Sequence, residues 1–254
     1  MRVFDIGLKL CPQLVYSPDS ATLAASYYPK YATRAVQLLA MSGDEPPLSR
    51  VFKRANYKPL LTYDEIVSGT RLAEPAFRVP RKRDHHSRLV GVGRAQAADV
   101  FGFLYSYWTR FDSSSASTNV VRVVGGPHPT HPPVEWTFGF FRAGFRLVAL
   151  NGDGSRVAVL AGTEVRVWEV TTGTELATLN HGRRQLAGLA FSADGRYLGV
   201  LCQDAVSLYD TASWTVARAY AWKVGRLRSL AFSPDGATAA VGSDRGKVVV
   251  FDLD

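Results

Sequence analysis

An aspartate-glycine turn recurs at a fixed interval through the second half of this 254-residue chain. Asn151-Gly-Asp153-Gly154, Ser192-Ala-Asp194-Gly195 and Ser233-Pro-Asp235-Gly236 place their aspartates 41 and then 41 residues apart. Each follows a short apolar run: Leu147 to Leu150, Leu186 to Phe191 and Leu227 to Phe232. Some 15 to 17 residues beyond each aspartate stands an aromatic-acidic pair, Trp168-Glu169, Tyr209-Asp210 and Phe251-Asp252. Two independent markers therefore keep one period, and a period of this length identifies a unit of supersecondary structure stacked on copies of itself.

Four strands of about five or six residues with four connections of about four come to roughly 40 residues, so one repeat is one four-stranded sheet. The turn residues act by known means: proline presets φ, aspartate bonds the backbone just ahead of it, and glycine accepts a left-handed conformation. Val157-Ala-Val-Leu160, Val165-Arg-Val-Trp168 and Val206-Ser-Leu-Tyr209 are β-branched, aromatic and partly alternating, as half-buried strands require. Between the turns there is no room for an amphipathic helix of 11 residues or more. The fold is all-β. A lone four-stranded sheet leaves two apolar faces and two edges open; stacking such sheets radially buries the faces and protects the edges, which is the β-propeller arrangement.

Leu230-Ala-Phe-Ser-Pro-Asp-Gly236, Leu189-Ala-Phe-Ser-Ala-Asp-Gly195 and Val165-Arg-Val-Trp-Glu169 resemble the WD-repeat family, in the bacterial style where the Ser-Pro-Asp-Gly turn is more regular than the Trp-Asp pair. Leu14-Val-Tyr-Ser-Pro-Asp19-Ser20 followed by Thr22-Leu-Ala-Ala-Ser26 is similar. The likeness is clear over 144–254, good over 11–26 and weak between them. It implies a propeller acting as a binding platform for proteins or peptides. No repeat carries all four members of the family's His, Ser/Thr, Asp and Trp network, so rigidity is expected mainly from apolar packing between blades.

The whole chain, 1–254, is read as one propeller domain. Dividing its length by 41 indicates about six blades, with five and seven left open. Residues 11–52 form the first blade. A second is traced through Leu89–Val92, Val100–Tyr107, Val120–Val124 and Val134–Phe138, with Asp112–Asn119 as a polar loop. Residues 53–88 are a degenerate blade or an insertion, although Leu60–Tyr63 resembles a strand. The last repeat stops after three strands at Asp254, and Arg2 to Lys9 are free to supply the fourth, closing an open edge.

The net charge of +8 is uneven: residues 1–143 hold 18 Lys and Arg against 11 Asp and Glu, and residues 144–254 hold 12 against 11. Arginine forks suit phosphate, which keeps a nucleic-acid partner among the alternatives without favouring it. Arg81-Lys82-Arg83-Asp-His-His86 is the most basic stretch, either a solvated insertion or a phosphate surface. Tyr27, Tyr28 and Tyr31 are expected in a loop between the second and third strands of the first blade, where aromatics would serve a partner surface. Asp19, Asp153, Gly154, Asp194, Gly195, Asp235 and Gly236 are assigned to turns, and Trp168, Tyr209 and Phe251 to structural aromatic positions.

Signs of catalysis are lacking. The nucleophile string Gly-X-Ser-X-Gly is absent, Gly246-Lys247 is followed by valine rather than Ser or Thr, and Gly91-Val-Gly93 lacks a third glycine. His128 and His131 sit in a proline-rich stretch without further ligands, so no metal and no cofactor are expected. Cys11 and Cys202 lie far apart and read as buried thiols. No apolar stretch of about 20 residues occurs and Asp5 interrupts the start, giving a cytoplasmic expectation with no membrane partner. The expected function is a non-catalytic interaction scaffold, against a ligand-binding or enzymatic propeller using a channel mouth.

Overall fold

Each Asp-Gly repeat is one four-stranded sheet. The computed structural model of the chain describes residues 1–6, 13–30, 33–41, 48–53, 85–94, 100–109, 117–125, 134–138, 145–161, 163–182 and 185–254. Their strands form five four-stranded sheets. One runs β2 (Gln13–Tyr16), β3 (Thr22–Lys30), β4 (Thr33–Ala40), β5 (Leu48–Lys53). The next runs β6 (His85–Arg94), β7 (Val100–Thr109), β8 (Ser117–Gly125), β9 (Val134–Phe138). Then come β10 (Phe145–Leu150), β11 (Arg156–Ala161), β12 (Glu164–Glu169), β13 (Glu175–Asn180), and β14 (Leu186–Phe191), β15 (Tyr197–Cys202), β16 (Ala205–Asp210), β17 (Val216–Ala221). The last combines β18 (Leu227–Phe232), β19 (Thr238–Ser243) and β20 (Lys247–Asp252) with β1 (Arg2–Asp5) from the other end of the chain.

That last sheet is the expected clasp. β1 pairs antiparallel with β20 from Arg2↔Val250 to Asp5↔Lys247, and the Ile6 N–H extends the ladder to the Gly246 carbonyl at 2.9 Å. Met1 adds its ammonium to Asp252 at 3.4 Å, and Lys247 reaches Asp5.

The strands cluster into two compact units, residues 1–73 with 190–254, and residues 74–189, with the divide inside β14. In the first unit the β18–β19–β20–β1 sheet lies between two others, because every strand presents opposite faces at successive residues. Ala231, Ala240, Val248, Val250 and Phe4 pack with Leu14, Tyr16, Leu23, Ala25 and Leu39 of the β2–β5 sheet. Register carries the pattern across the strands, since Ala231 pairs with Ala240 and Ala240 with Val250. The opposite face carries Leu230 and Phe232, which press on Gly199 of β15. Slipping any of these strands by one residue would exchange the two faces. In the second unit, β10 lies beside β6 and β7.

At Gly199 the second interface leaves no room for a side chain. A Cβ there would lie 2.5 Å from Leu230 Cδ2 and 3.0 Å from Phe232 Cζ, and Phe232 is itself buried. Overpacking costs about 1–3 kcal/mol, and the conformational gain of Ala over Gly offsets about 0.5–1 kcal/mol of it. Gly199→Ala is therefore expected to destabilise by about 1–2 kcal/mol. Chemical denaturation checks this, and a neutral or stabilising result would mean that the two sheets separate freely at this point.

The four-stranded sheet traced over 89–138 is present, with its first three strands longer than expected and the fourth at Val134–Phe138. Ser117, Thr118 and Asn119, expected in a loop, begin β8 and pair with Trp108, Tyr107 and Ser106. His85 and His86, expected in a basic insertion, begin β6 opposite Thr109 and Trp108. β7 supplies the cause. Its largely aromatic and aliphatic run, interrupted only by Gly102 and Ser106, continues past its neighbours' polar ends, and its backbone groups need partners along that whole length. Leu60–Tyr63 and the rest of 54–84 lie outside the described residues, as do His128, His131 and Cys11. Cys202 is a buried free thiol.

Candidate functional site

The two ends of each sheet differ. At one end are the Asp-Gly turns. Ser233 Oγ donates to Asp235 Oδ1 at 2.5 Å and accepts from the Thr238 N–H at 2.9 Å, while Asp235 Oδ1 accepts from the Ala237 N–H at 2.9 Å. The same net recurs at Ser192, Asp194 and Tyr197 and at Ser17, Asp19 and Thr22. At the fourth turn Asn151 replaces serine and accepts from the Arg156 N–H, with Asp153 holding Ser155. Gly154, Gly195 and Gly236 have φ of 76°, 72° and 74°, and Ser20 takes the equivalent place at 61°, a conformation that glycine enters without steric cost. All seven residues assigned to turns are in turns. Trp168, Tyr209 and Phe251 stand next to last in β12, β16 and β20 and are buried.

Three of these turns hold their aspartates, Asp19, Asp153 and Asp235, below the ordinary carboxylate value. Donation from Ser17 first, then from the Ala21 N–H, holds Asp19 below the ordinary carboxylate value; Ser233 and then the Ala237 N–H do the same for Asp235. At Asp153 burial pushes upward but is outweighed by the bonds from Ser155 and Asn151. A carboxylate depressed in the folded state stabilises above its unfolded pKa, and that contribution is lost as pH falls through the folded one. Stability is expected to hold between pH 7 and about 5 and to decline below about pH 4. Asp19→Asn with Asp235→Asn should flatten the decline; a double variant with an unchanged acid limb in urea titrations would contradict this origin.

The opposite end of the first unit carries a cavity of about 300 Å³ lined by Asp204, Trp222, Lys223, Gly225, Arg226, Asp244 and Arg245. Three chain segments build it. Gln203-Asp204 is the two-residue turn between β15 and β16, with Gln203 at φ 55°. Asp244-Arg245-Gly246 joins β19 to β20, with Gly246 at φ 70°. Residues 222–226 connect β17 to β18 and are strapped to both turns. The Trp222 N–H donates to the Asp204 carbonyl at 3.3 Å, the Leu227 N–H to the Gln203 carbonyl at 2.6 Å, and the Asp244 N–H to the Arg226 carbonyl at 2.9 Å.

Gly225 has φ of 99°, and a Cβ there would fall 2.6 Å from Asp244 Oδ1, so the connector passes the turn at a distance only glycine allows. Asp244 is engaged twice, accepting from the Arg226 N–H at 3.0 Å and facing Arg228 at 3.7 Å. The Lys223, Arg226 and Arg245 side chains have no ion-pair partner among the described residues. Trp222 forms a wall, stacked on Tyr220 at 5.7 Å, tilted against Phe251 at 5.0 Å, and donating its indole N–H to Met1 Sδ at 3.2 Å.

Tyr27 and Tyr28 belong to β3, not to a loop: Tyr27 pairs with Ala35 and the ladder extends to Lys30↔Thr33. Pro29 and two adjacent tyrosines suggest a loop, but the strand runs through them because β4 continues opposite. Tyr31, Arg81, Lys82 and Arg83 lie outside the described residues. The overlooked cavity residues did leave a trace, since the connectors ahead of the last two repeats both carry cations, Arg183 and Arg184 in one and Lys223 and Arg226 in the other. Among the described residues no His, Cys, Asp and Glu group could hold a metal ion, and no helix is long and apolar enough to cross a membrane.

No protein-family model matches the chain. Part of it is 33% identical over 105 residues, 35% of this chain and 33% of the relative, to the WD repeat-containing protein VIP3 of Arabidopsis thaliana. Part is 30% identical over 103 residues, 39% of this chain and 30% of the relative, to the uncharacterized WD repeat-containing protein sll1491 of Synechocystis sp.. The chain spans about a third of the length of these curated relatives. The matches establish a distant relationship to WD-repeat proteins and no closer one.

Proposed function

We propose that the chain is a WD-repeat-like β-propeller of about six blades that works as a non-catalytic platform for a protein partner. The observation that carries this reading is the Trp222 cavity, built by turns of two neighbouring sheets and lined with Trp and Arg, residue types that dominate protein-interface energetics. Repeats that keep a 41-residue period, sheets that stack face to face in the first unit and the β1–β20 clasp support the ring. The distant likeness to WD repeat-containing proteins supports the platform, and a cytoplasmic setting goes with it.

Pull-down from native cell extract at low and high salt, with and without nuclease, separates the readings. A partner protein that survives both treatments, and that rebinds stoichiometrically once purified, is the expected result. Retention that salt or nuclease abolishes would replace the platform with a nucleic-acid role. Recovery of no macromolecule would return the cavity to small-ligand or enzymatic use.

A further inference from the structure

Lys223, Arg226 and Arg245 surround one cavity, and no carboxylate pairs with any of their side chains among the described residues. Of the two acids present, Asp244 already serves the Arg226 N–H and Arg228, leaving three cations and the Asp204 carboxylate facing the opening. The backbone carrying them is braced by three main-chain hydrogen bonds and by the close passage of Gly225, so much of the ordering cost of binding is met before a ligand arrives. A volume of about 300 Å³ is at the small end of ligand pockets, with room for a side chain or two.

We propose that this cavity receives an acidic peptide segment of a partner protein, with a Glu or Asp side chain held by Lys223, Arg226 and Arg245 and a neighbouring peptide N–H or basic side chain held by Asp204. The mixed sign decides between polymers. A nucleic-acid backbone presents phosphate after phosphate and would be repelled by Asp204, whereas a peptide offers an acid and a donor side by side. Trp222, fixed by Tyr220, Phe251 and Met1, gives the peptide an aromatic wall to lie against. The assignment rests on the platform reading and names the partner chemistry of its site.

The probe is a capped, fluorescein-labelled Gly-Glu-Gly-Glu-Gly peptide, followed by fluorescence polarisation at about 0.15 M salt, with the Gln-for-Glu peptide as control. Saturable binding with a Kd of about 0.1–1 mM, at least tenfold tighter than the control, is expected. Arg226→Glu with Arg245→Glu, and separately Lys223→Glu, should each weaken it by about tenfold or more while leaving the melting temperature within a few degrees. All three side chains are solvent-exposed, so the fold should tolerate reversal. Equal binding of the two peptides, no saturation at several millimolar, or charge-reversed variants that bind undiminished would overturn the proposal. So would an oligouridylate that binds tighter than the peptide and is lost in the same variants. If the charge-reversed chain still recovers every protein that the native chain recovers, the cavity assignment fails and the platform stands. If the native chain recovers none, the platform itself fails.

Discussion

Deleting residues 1–6 lowers the melting temperature by about 6–20 °C, the largest loss expected from any change to the chain. The deletion removes β1, leaving β20 as an open edge, and strips Ile6, 4% exposed, from the cluster shared with Leu14, Tyr16 and Val248. Phe4 leaves the same cluster, and the Arg2 guanidinium no longer donates to the Met41 carbonyl at 2.6 Å. Emptying a site such as that of Ile6 costs about 2–5 kcal/mol, so the whole segment is set at about 3–5 kcal/mol. At about 2–4 °C per kcal/mol for a chain of this size, the melting shift follows. Ile6→Ala should fall between the deletion and the native chain. Association that grows with concentration should accompany the deletion, because the bared strand offers unpaired N–H and C=O groups to other molecules. Scanning calorimetry of the three forms checks the order, and a shift below about 3 °C would show that the clasp is an ornament of the last sheet.

Ser233→Ala is the second large effect, at about 1–3 kcal/mol. Ser233 is 1% exposed, and its hydroxyl donates to Asp235 at 2.5 Å, contacts the Thr238 carbonyl at 2.9 Å and accepts from the Thr238 N–H at 2.9 Å. Alanine leaves the Thr238 N–H short of its partner beside a buried position, and an orphaned group of that kind costs about 1–3 kcal/mol, whereas the exposed Asp235 carboxylate keeps the Ala237 N–H and turns its freed oxygen to water. A second readout separates this mechanism from simple loss of packing. The Ser233 hydroxyl is the foremost cause of the low Asp235 pKa, so the variant should also lose part of its stability decline below pH 4. Urea midpoints at pH 7 and pH 3 measure both. A loss below about 0.5 kcal/mol at neutral pH would show that the turn is held by Pro234 and Gly236 alone.

Local chemistry was readable wherever a residue acts on its own neighbourhood. Ser, Asp and Gly at the turns act over five residues at most, so their roles follow from spacing, and Gly154, Gly195 and Gly236 are left-handed as turn chemistry requires. The clasp was also expected, and Arg2–Asp5 pairs with β20 as the fourth strand of the last sheet. Tyr27 and Tyr28 were misplaced for the complementary reason. Where β3 ends is set by how far β4 continues beside it, which is a property of two segments and not of either one. The early start of β6 and β8 has the same source.

By itself, then, the sequence determined the period, the four-stranded unit, the turn residues and the supply of the last strand, since each of these depends on alternation and spacing along one stretch of chain. Only the tertiary structure decided which charges meet. Asp204, Trp222, Arg226 and Arg245 come from three connections of two sheets, and their convergence depends on how one sheet sits on the next, through contacts such as Gly199 on Leu230 and Phe232. Packing of that kind couples residues that share no local pattern, and so the sequence showed cations in the connectors without showing that they meet Asp204 and Arg245 in one cavity.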